Sequence, residues 1–535
     1  MRRALRRRLL FVPLGLAVLA AAGCIHYFTT ITVRPLDPPT GERVDSIKTS
    51  IKVHLIDGTT VNFPSGAQVS RTRIFGSGMS FPLLSDAGVM RSEVPMDSVV
   101  GVEVFGSRTL GAKTAIVSLS ATALGAIAFV GLMVAIFGSC PTLYANVAGA
   151  AVLEAEGFSY AIAPLMEHRD VDALRLRPDA EGVIRLELRN EALETHFINH
   201  VELLSVRHAA GERVVPDQAG RPVALSGFGT LAGATDRAGR DVRPLLAKHD
   251  AELFGTASAT VDAAREGDLD DWIDLDLADL PAGDSIAVLL RMRNSLLNTV
   301  LLYEGMLGGR DAPDWLDSGL QHIGNTVELS RWYSRTMGMH VTIEGAAGAD
   351  GLPLGALRVG DVGPIAFRDV AVILPRPATD APRARVRLRF VADNWRIDEV
   401  RVAGRVTRPA VTILPVDSII VPVPARGDGP IFDRDAVRAV AEADEVYLET
   451  RPGQRMTIVF RSIGTGATSA DSSSTELVAW QGWYREWIRG SWLANPSRET
   501  PFIPGDAAIL TALRSWSAQK STFEHAFYSS AIPVR

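Results

Sequence analysis

Apolar residues change their spacing several times along this chain. The first 24 residues run from a basic start into a short apolar stretch, 9–20, and close on Ala21-Ala22-Gly23-Cys24. Residues 47–105 then alternate, first as IKTSIKVHLIDGTTVNF with the hairpin signal Asp57-Gly58, and at the end as VPMDSVVGVEVF. That pattern predicts a compact β-barrel or sandwich of about 60 residues. Residues 114–137, TAIVSLSATALGAIAFVGLMVAIF, carry no charge. As a helix they are long enough to cross about 30 Å of hydrocarbon; a buried core helix is the alternative.

After residue 138 the period is mostly two. Residues 183–188 and 201–206 alternate as strands. Ile273, Leu275 and Leu277 share one face of 272–280, with Asp274 and Asp276 on the other. Val386, Leu388 and Phe390 alternate with Arg385, Arg387 and Arg389, which predicts a solvated arginine face. Helical spacing returns over 313–337 through Leu316, Leu320, Ile323 and Val327, between Pro313 and Gly338. Shorter helices are expected at 435–444 and 506–517. Turn-forming residues break the chain at 346–352, 375–382, 424–430 and 464–475. The expected fold is therefore mainly β: a small β-barrel or sandwich, then β-sandwich domains with a few helices, and one transmembrane-type helix. The expected units are 1–24, 25–110, 111–138, 139–310, 311–425 and 426–535.

Length, charge and cysteine content narrow this picture. A chain of 535 residues is too long for one core. Its net charge of −6, with no basic face, argues against nucleic acid as a partner. Two cysteines allow at most one bridge. Arg2, Arg3, Arg6, Arg7 and Arg8 form the positive region of a secretory signal. With the small residues before Cys24 the segment resembles a bacterial lipoprotein signal, which implies lipid attachment at Cys24 and membrane lipid as a partner. An uncleaved anchor helix is the alternative. Arg108 and Lys113 precede 114–137, and no Lys or Arg follows until Arg169, so the positive-inside rule puts the region after 138 outside. A lipoprotein signal also puts residue 25 outside, and one span cannot join two outside domains. The expectation is a bacterial cell-envelope protein with an extracytoplasmic main body. An inner-membrane protein with a cytoplasmic C-terminal part is the alternative.

Several constellations of side chains are candidates for chemistry. Glu266, Asp268, Asp270, Asp271, Asp274, Asp276 and Asp279 crowd one segment, as calcium ligands do, but the spacing of a calcium loop is absent. His196 and His200 stand four apart, with Glu194 and Glu202 nearby; a zinc site can be drawn, although His-Glu-x-x-His is missing. Ser517-Ala518-Gln519-Lys520 has the Ser-x-x-Lys spacing without its companion motifs. Trp480, Trp483, Tyr484, Trp487 and Trp492 are candidate ligand-binding aromatics. The spacing of 480, 483, 484 and 487 fits a helical core seam or a membrane-proximal patch equally. Cys140, in IFGSCPTLY, is read as a small packed residue rather than an anchor. No catalytic set, phosphate loop, dinucleotide fingerprint, metal site or cofactor is expected.

The stretches SCPTLY, EAEGFS and NEALETHFINHVEL, followed by RMRNSLLNTVLLY, GPIAFRDVAVILP, VRLRFVADNWRIDEVRV and AWQGWYREWIRGSWL, resemble a module of uncharacterised bacterial envelope proteins and lipoproteins. The resemblance covers most of the chain after 138 and implies location and architecture, with no established activity. Asn394-Trp395-Arg396-Ile397-Asp398-Glu399-Val400 also resembles a jelly-roll strand of carbohydrate-binding modules. The expected function is a non-enzymatic binding or scaffold role, with envelope proteins or glycans as partners. An envelope enzyme acting on glycan or peptide substrates is the alternative.

Overall fold

The computed structural model describes residues 31–34, 43–48, 51–55, 59–81, 89–107, 140–147, 149–250, 252–307, 309–320, 322–344, 356–376, 383–421, 431–444, 446–461, 472–487, 492, 495–497 and 502–529. Cys24, the turn at Asp57-Gly58 and the apolar run 114–137 lie outside these residues. Among the described residues no helix is long and apolar enough to cross a membrane.

Alternation over 47–105 produces one eight-stranded antiparallel sheet. Its order is Ile31–Arg34, Val99–Ser107, Ile51–Leu55, Thr60–Phe63, Arg73–Phe81, Ala67–Val69 and Asp45–Ile47, with Val89–Pro95 also on Arg73–Phe81. Ile51 pairs with Phe63 and Val53 with Val61, so the apolar positions fall on one face and bury together with Val69, Ile74 and Val94. Of the expected barrel or sandwich, no closed barrel forms: among the described residues the end strands of the sheet do not pair with each other.

The large region holds four further sheets. Sheet I runs Ala150–Glu156, Thr142–Val147, Val183–Arg189, Arg455–Arg461, Ser418–Val421 and Ile431–Phe432. Sheet II runs His168–Ala173, Ser472–Glu486, Glu194–Ala209 and Val411–Pro415, with Leu448–Thr450 also on Glu194–Ala209. Leu143, Leu186 and Phe460 of sheet I share a core with Val201, Leu203 and Trp480 of sheet II. Sheet III runs Arg213–Pro216, Pro222–Phe228, Trp395–Thr407, Ser285–Asn294 and Arg368–Pro375. Sheet IV runs Thr230–Asp236, Asp270–Ala278, Ala384–Val391, Met339–Ile343 and Leu357–Val359. Ile273, Leu275, Val386 and Leu388 of sheet IV meet Val288, Leu290, Val372 and Val402 of sheet III, the inner faces of a sandwich.

Sheet III is buried on its second face as well. Val223, Leu225, Ala287, Leu289 and Ala371 pack together there, and a bridge between Asp217 and Ala371 draws its end strands towards each other. Burial on both faces accounts for the unbroken apolar run IAVLL, which has no alternation to read. Val214 and Ala224 of sheet III also meet Val171, Leu204 and Leu477 of sheet II.

Three expectations are corrected. Boundaries at 310 and 425 do not separate units, because sheets I and II mix strands from 142–209 with strands from 411–486. The helix expected over 313–337 is three pieces: Ala312–Asp314, a π-helical turn Trp315–Gly319, and Ile323–Thr336. Leu316 and Leu320 are buried, but the next helix starts anew after the extended residue His322, which rotates its face. Ile323 is 67% exposed, and Thr326, Leu329 and Trp332 bury instead. The helix expected at 435–444 is confined to Arg434–Ala439, where Asp433 caps the amides of Asp435 and Ala436. The helix expected at 506–517 forms, and a second helical piece follows it across a kink at Gln519 within Gly505–Ser529.

Candidate functional site

Two loops meet where the sheet I/II sandwich adjoins sheet III. One is 157–163, which follows Ala150–Glu156. The other is 360–367, which precedes Arg368–Pro375. Asn294 fixes the second: its Oδ1 accepts from the amides of Val362 at 2.9 Å and Gly363 at 3.1 Å. Arg293 donates to the Pro364 carbonyl at 2.7 Å. From the other side, Glu156 accepts from the amides of Ile365 at 2.7 Å and Ala366 at 2.9 Å. Arg368 reaches back to Asp170 at 2.7 Å, Asp172 at 2.6 Å and the Glu156 carbonyl at 2.8 Å.

Loop 157–163 is held in an unusual backbone state. Phe158 is fully buried with φ of 48°, and its amide donates to Asp170 at 2.6 Å. A non-glycine residue there carries strain that the surrounding packing must hold. A Cβ on Gly157 would lie 2.6 Å from the Trp480 ring.

Between the loops lies a cavity. A short α-helix, Leu297–Val300, passes into a π-helical turn, Leu301–Met306, and supplies Asn298, Thr299, Leu302, Tyr303 and Met306 to its wall. Such turns are frequent at functional sites. Leu329 and Tyr333 come from Ile323–Thr336, and Tyr484 from Ser472–Glu486. Tyr160, Asp361 and Pro364 come from the loops. The cavity measures about 50 Å³. It is a narrow, mainly apolar space with four tyrosines and one carboxyl.

The polar groups around it largely engage one another. Asp361 accepts from the Tyr333 hydroxyl at 2.5 Å and from Asn298 Nδ2 at 2.9 Å. Tyr484 donates to the Ser159 carbonyl at 3.1 Å, and Tyr303 donates to Glu486. Burial outweighs these bonds and raises the pKa of Asp361. Burial and the nearby acids Asp361 and Asp170 likewise raise Tyr333 and Tyr160, respectively. Behind the loops, burial pushes Glu156 up to about 8 and Asp172 up to about 6. Burial also works against charge on Asp170, but Arg368 and His168 hold its pKa below the usual value.

The residues singled out in the sequence, Tyr484 apart, are placed elsewhere. His196 and His200 lie on a strand, and a bulge at Asn199 turns them to opposite faces. His196 is fully buried; its Nε2–H donates to Glu194 at 2.7 Å and its Nδ1 accepts from Thr450 at 2.9 Å. Burial lowers its pKa to about 3, so the ring is neutral. His200 faces Glu202. Asp270, Asp274 and Asp276 form exposed pairs with Arg389, Arg387 and Arg385 across sheet IV. Among the described residues no group of three His, Cys, Asp or Glu side chains could hold a metal ion. Lys520 pairs with Asp393 at 3.3 Å, while Ser517 donates to the Arg514 carbonyl. Asp398 is held by Arg291, and Glu399 by Arg213.

The aromatic segment is a strand, not a helix. Trp480 and Tyr484 point into the core, and Trp483 stacks on Phe197 at 4.1 Å on the opposite face. Trp487 donates to Thr195, and Trp492 is buried against Tyr303. The five do not form one platform; only Tyr484 lines the cavity. Cys140 is 1% exposed with φ of 62°, and its amide donates to Glu194 at 2.5 Å.

Asp361, Tyr160 and Tyr333 carry no local signal: Tyr160 stands more than 170 positions before the other two, and Tyr333 and Asp361 are 28 apart on different elements. Asn298, Tyr303 and Pro364 do fall within RMRNSLLNTVLLY and GPIAFRDVAVILP, stretches quoted above for their resemblance.

The fold defines a mainly β, multi-sheet protein with a small cavity at an inter-sandwich seam. No family model matches the chain. No curated protein matches it either. Among solved structures it is similar to the GH31 alpha-xylosidase from Xanthomonas citri, at 8% identity and a TM-score of 0.15. That match covers 84% of this chain and 38% of the xylosidase, so the chain spans well under half of that enzyme. So low a score carries no argument about fold or activity.

Proposed function

We propose that this is a membrane-anchored cell-envelope protein that binds a small molecule rather than transforming it, and that the cavity beside Asp361 is where it binds. The observation that carries the binding reading is the chemistry of the wall. Asp361 is its one carboxyl, and its polar neighbours, Tyr333 and Asn298, are hydrogen-bonded to it. An enzyme acting on glycans or peptides would need a second acid, a base or an activated nucleophile facing the same space. No histidine, lysine, arginine or cysteine lines the cavity among the described residues. The anchoring part rests on the arginine-rich start, the apolar run and Cys24.

Metabolic lipid labelling of wild type, Cys24→Ala and Cys140→Ala, with protease accessibility of 139–535, tests the location. Labelling should vanish only in Cys24→Ala, with the large region cleaved from outside. Labelling lost in Cys140→Ala, or a protected large region, would sink this part. For the cavity, Leu302→Trp should abolish binding of small aromatic probes to the full-length chain.

A further inference from the structure

We propose that the cavity takes a small cationic ligand, an ammonium on a short apolar or aromatic body, with Asp361 as its counter-ion and Asn298 as a second acceptor. The inference rests on the small-molecule reading above and narrows it to a ligand class.

The first support is the charge of the wall. Asp361 makes no ion pair among the described residues; it is met by a hydroxyl, an amide and the backbone. Arg368, a guanidinium of the seam, already bridges Asp170 and Asp172. A carboxyl enclosed in this way is costly to ionise, and an arriving cation offsets that cost. An anion would face the same carboxyl with no cation to receive it.

The second support is the aromatic lining. Tyr160, Tyr303, Tyr333 and Tyr484 surround the space, and the Tyr160 and Tyr333 rings stack 6.4 Å apart. Tyrosine faces attract an ammonium, more strongly where water is excluded. Apolar contact for the ligand body comes from Met166, Leu302 and Leu329.

The third support is an unsatisfied acceptor. Asn298 is 8% exposed and lines the cavity. Its Nδ2 donates to Asp361, but its Oδ1 is buried and accepts from nothing. Buried acceptors are rarely left unmade without a functional reason. An ammonium brings three donors, one of which this acceptor can take.

Binding of benzylammonium, benzyl alcohol and benzoate to the full-length chain in detergent, by calorimetry or saturation-transfer NMR, separates the possibilities. The three share one ring and differ in charge. Benzylammonium should bind about tenfold or more tightly than benzyl alcohol, with benzoate weakest. Asp361→Asn should remove that preference, and Leu302→Trp should abolish binding of both. Equal affinity for alcohol and ammonium, or tighter benzoate, overturns the cationic assignment and leaves a small-molecule cavity. Binding of none of the three, or binding that Leu302→Trp does not affect, overturns the small-molecule reading itself. The wild-type comparison decides the charge question even if a variant fails to fold.

Discussion

Gly363 has φ of +90°, and a Cβ there would lie 2.5 Å from both the Glu156 carboxyl and Ser159 Oγ. Both the backbone state and the space call for glycine. Gly363→Ala should cost about 2 kcal/mol or more, read as a lower denaturant midpoint at unchanged slope. Glu156, its neighbour, has an ordinary pKa of 4.5 and is raised by burial to about 8 in the folded chain. Between those values the folded chain keeps a proton that the unfolded chain has released. Stability therefore falls as pH rises through that window and levels off above it. The opposing shift of His196, lowered to about 3, acts only below its ordinary 6.5. From pH 6.5 to 8 the decline should be on the order of 1 kcal/mol per pH unit, and Glu156→Gln should flatten it. A wild-type midpoint constant over that range would contradict this. The sequence does not announce this contact: Glu156 and Gly363 fall within the quoted stretches EAEGFS and GPIAFRDVAVILP, but 207 positions apart.

At the scale of single elements the sequence was a good guide to strands and a poor one to helices. Period two correctly placed Ile273, Leu275 and Leu277 against Asp274 and Asp276, because sheet IV has one dry face and one wet face. It also foresaw the arginine face at 385–389, although not its aspartate partners. Spacing misled where a strand imitates a helix. Residues 480, 483, 484 and 487 fit a helical stripe, yet 480 and 484 share a face simply because both are even steps along a strand. A single extra residue at Asn199 reverses which face is buried, and no local pattern announces it. The new start after His322 does the same to Ile323–Thr336. Leu329→Ala should therefore cost about 2–5 kcal/mol, whereas Val327→Asp, on the exposed side, should change stability by less than about 1 kcal/mol. Chemical denaturation of the pair checks the assigned face. Equal losses would mean that the helix is turned the other way.

Across the whole molecule, what escaped local reading was partnership. The strands Val183–Arg189 and Glu194–Ala209 were half visible, but their neighbours Arg455–Arg461 and Ser472–Glu486 lie far along the chain. A fragment ending at residue 425 lacks those partners and leaves the core around Leu186, Leu203 and Trp480 open. Residues 139–425 alone should show no cooperative melting by circular dichroism, whereas 139–535 should melt as a unit. A cooperative transition in the shorter fragment would restore the boundary expected at 425.

The central pairing of sheet II, in which Ser205 donates to Glu476 across 271 positions, also sets a schedule. During synthesis Glu194–Ala209 emerges long before its partner strand, and its apolar face and open edge must wait while most of the large region is made. Such late closure slows folding and leaves an edge open to wrong pairing. The nascent chain thus depends on being kept apart from its own kind until its last hundred residues arrive.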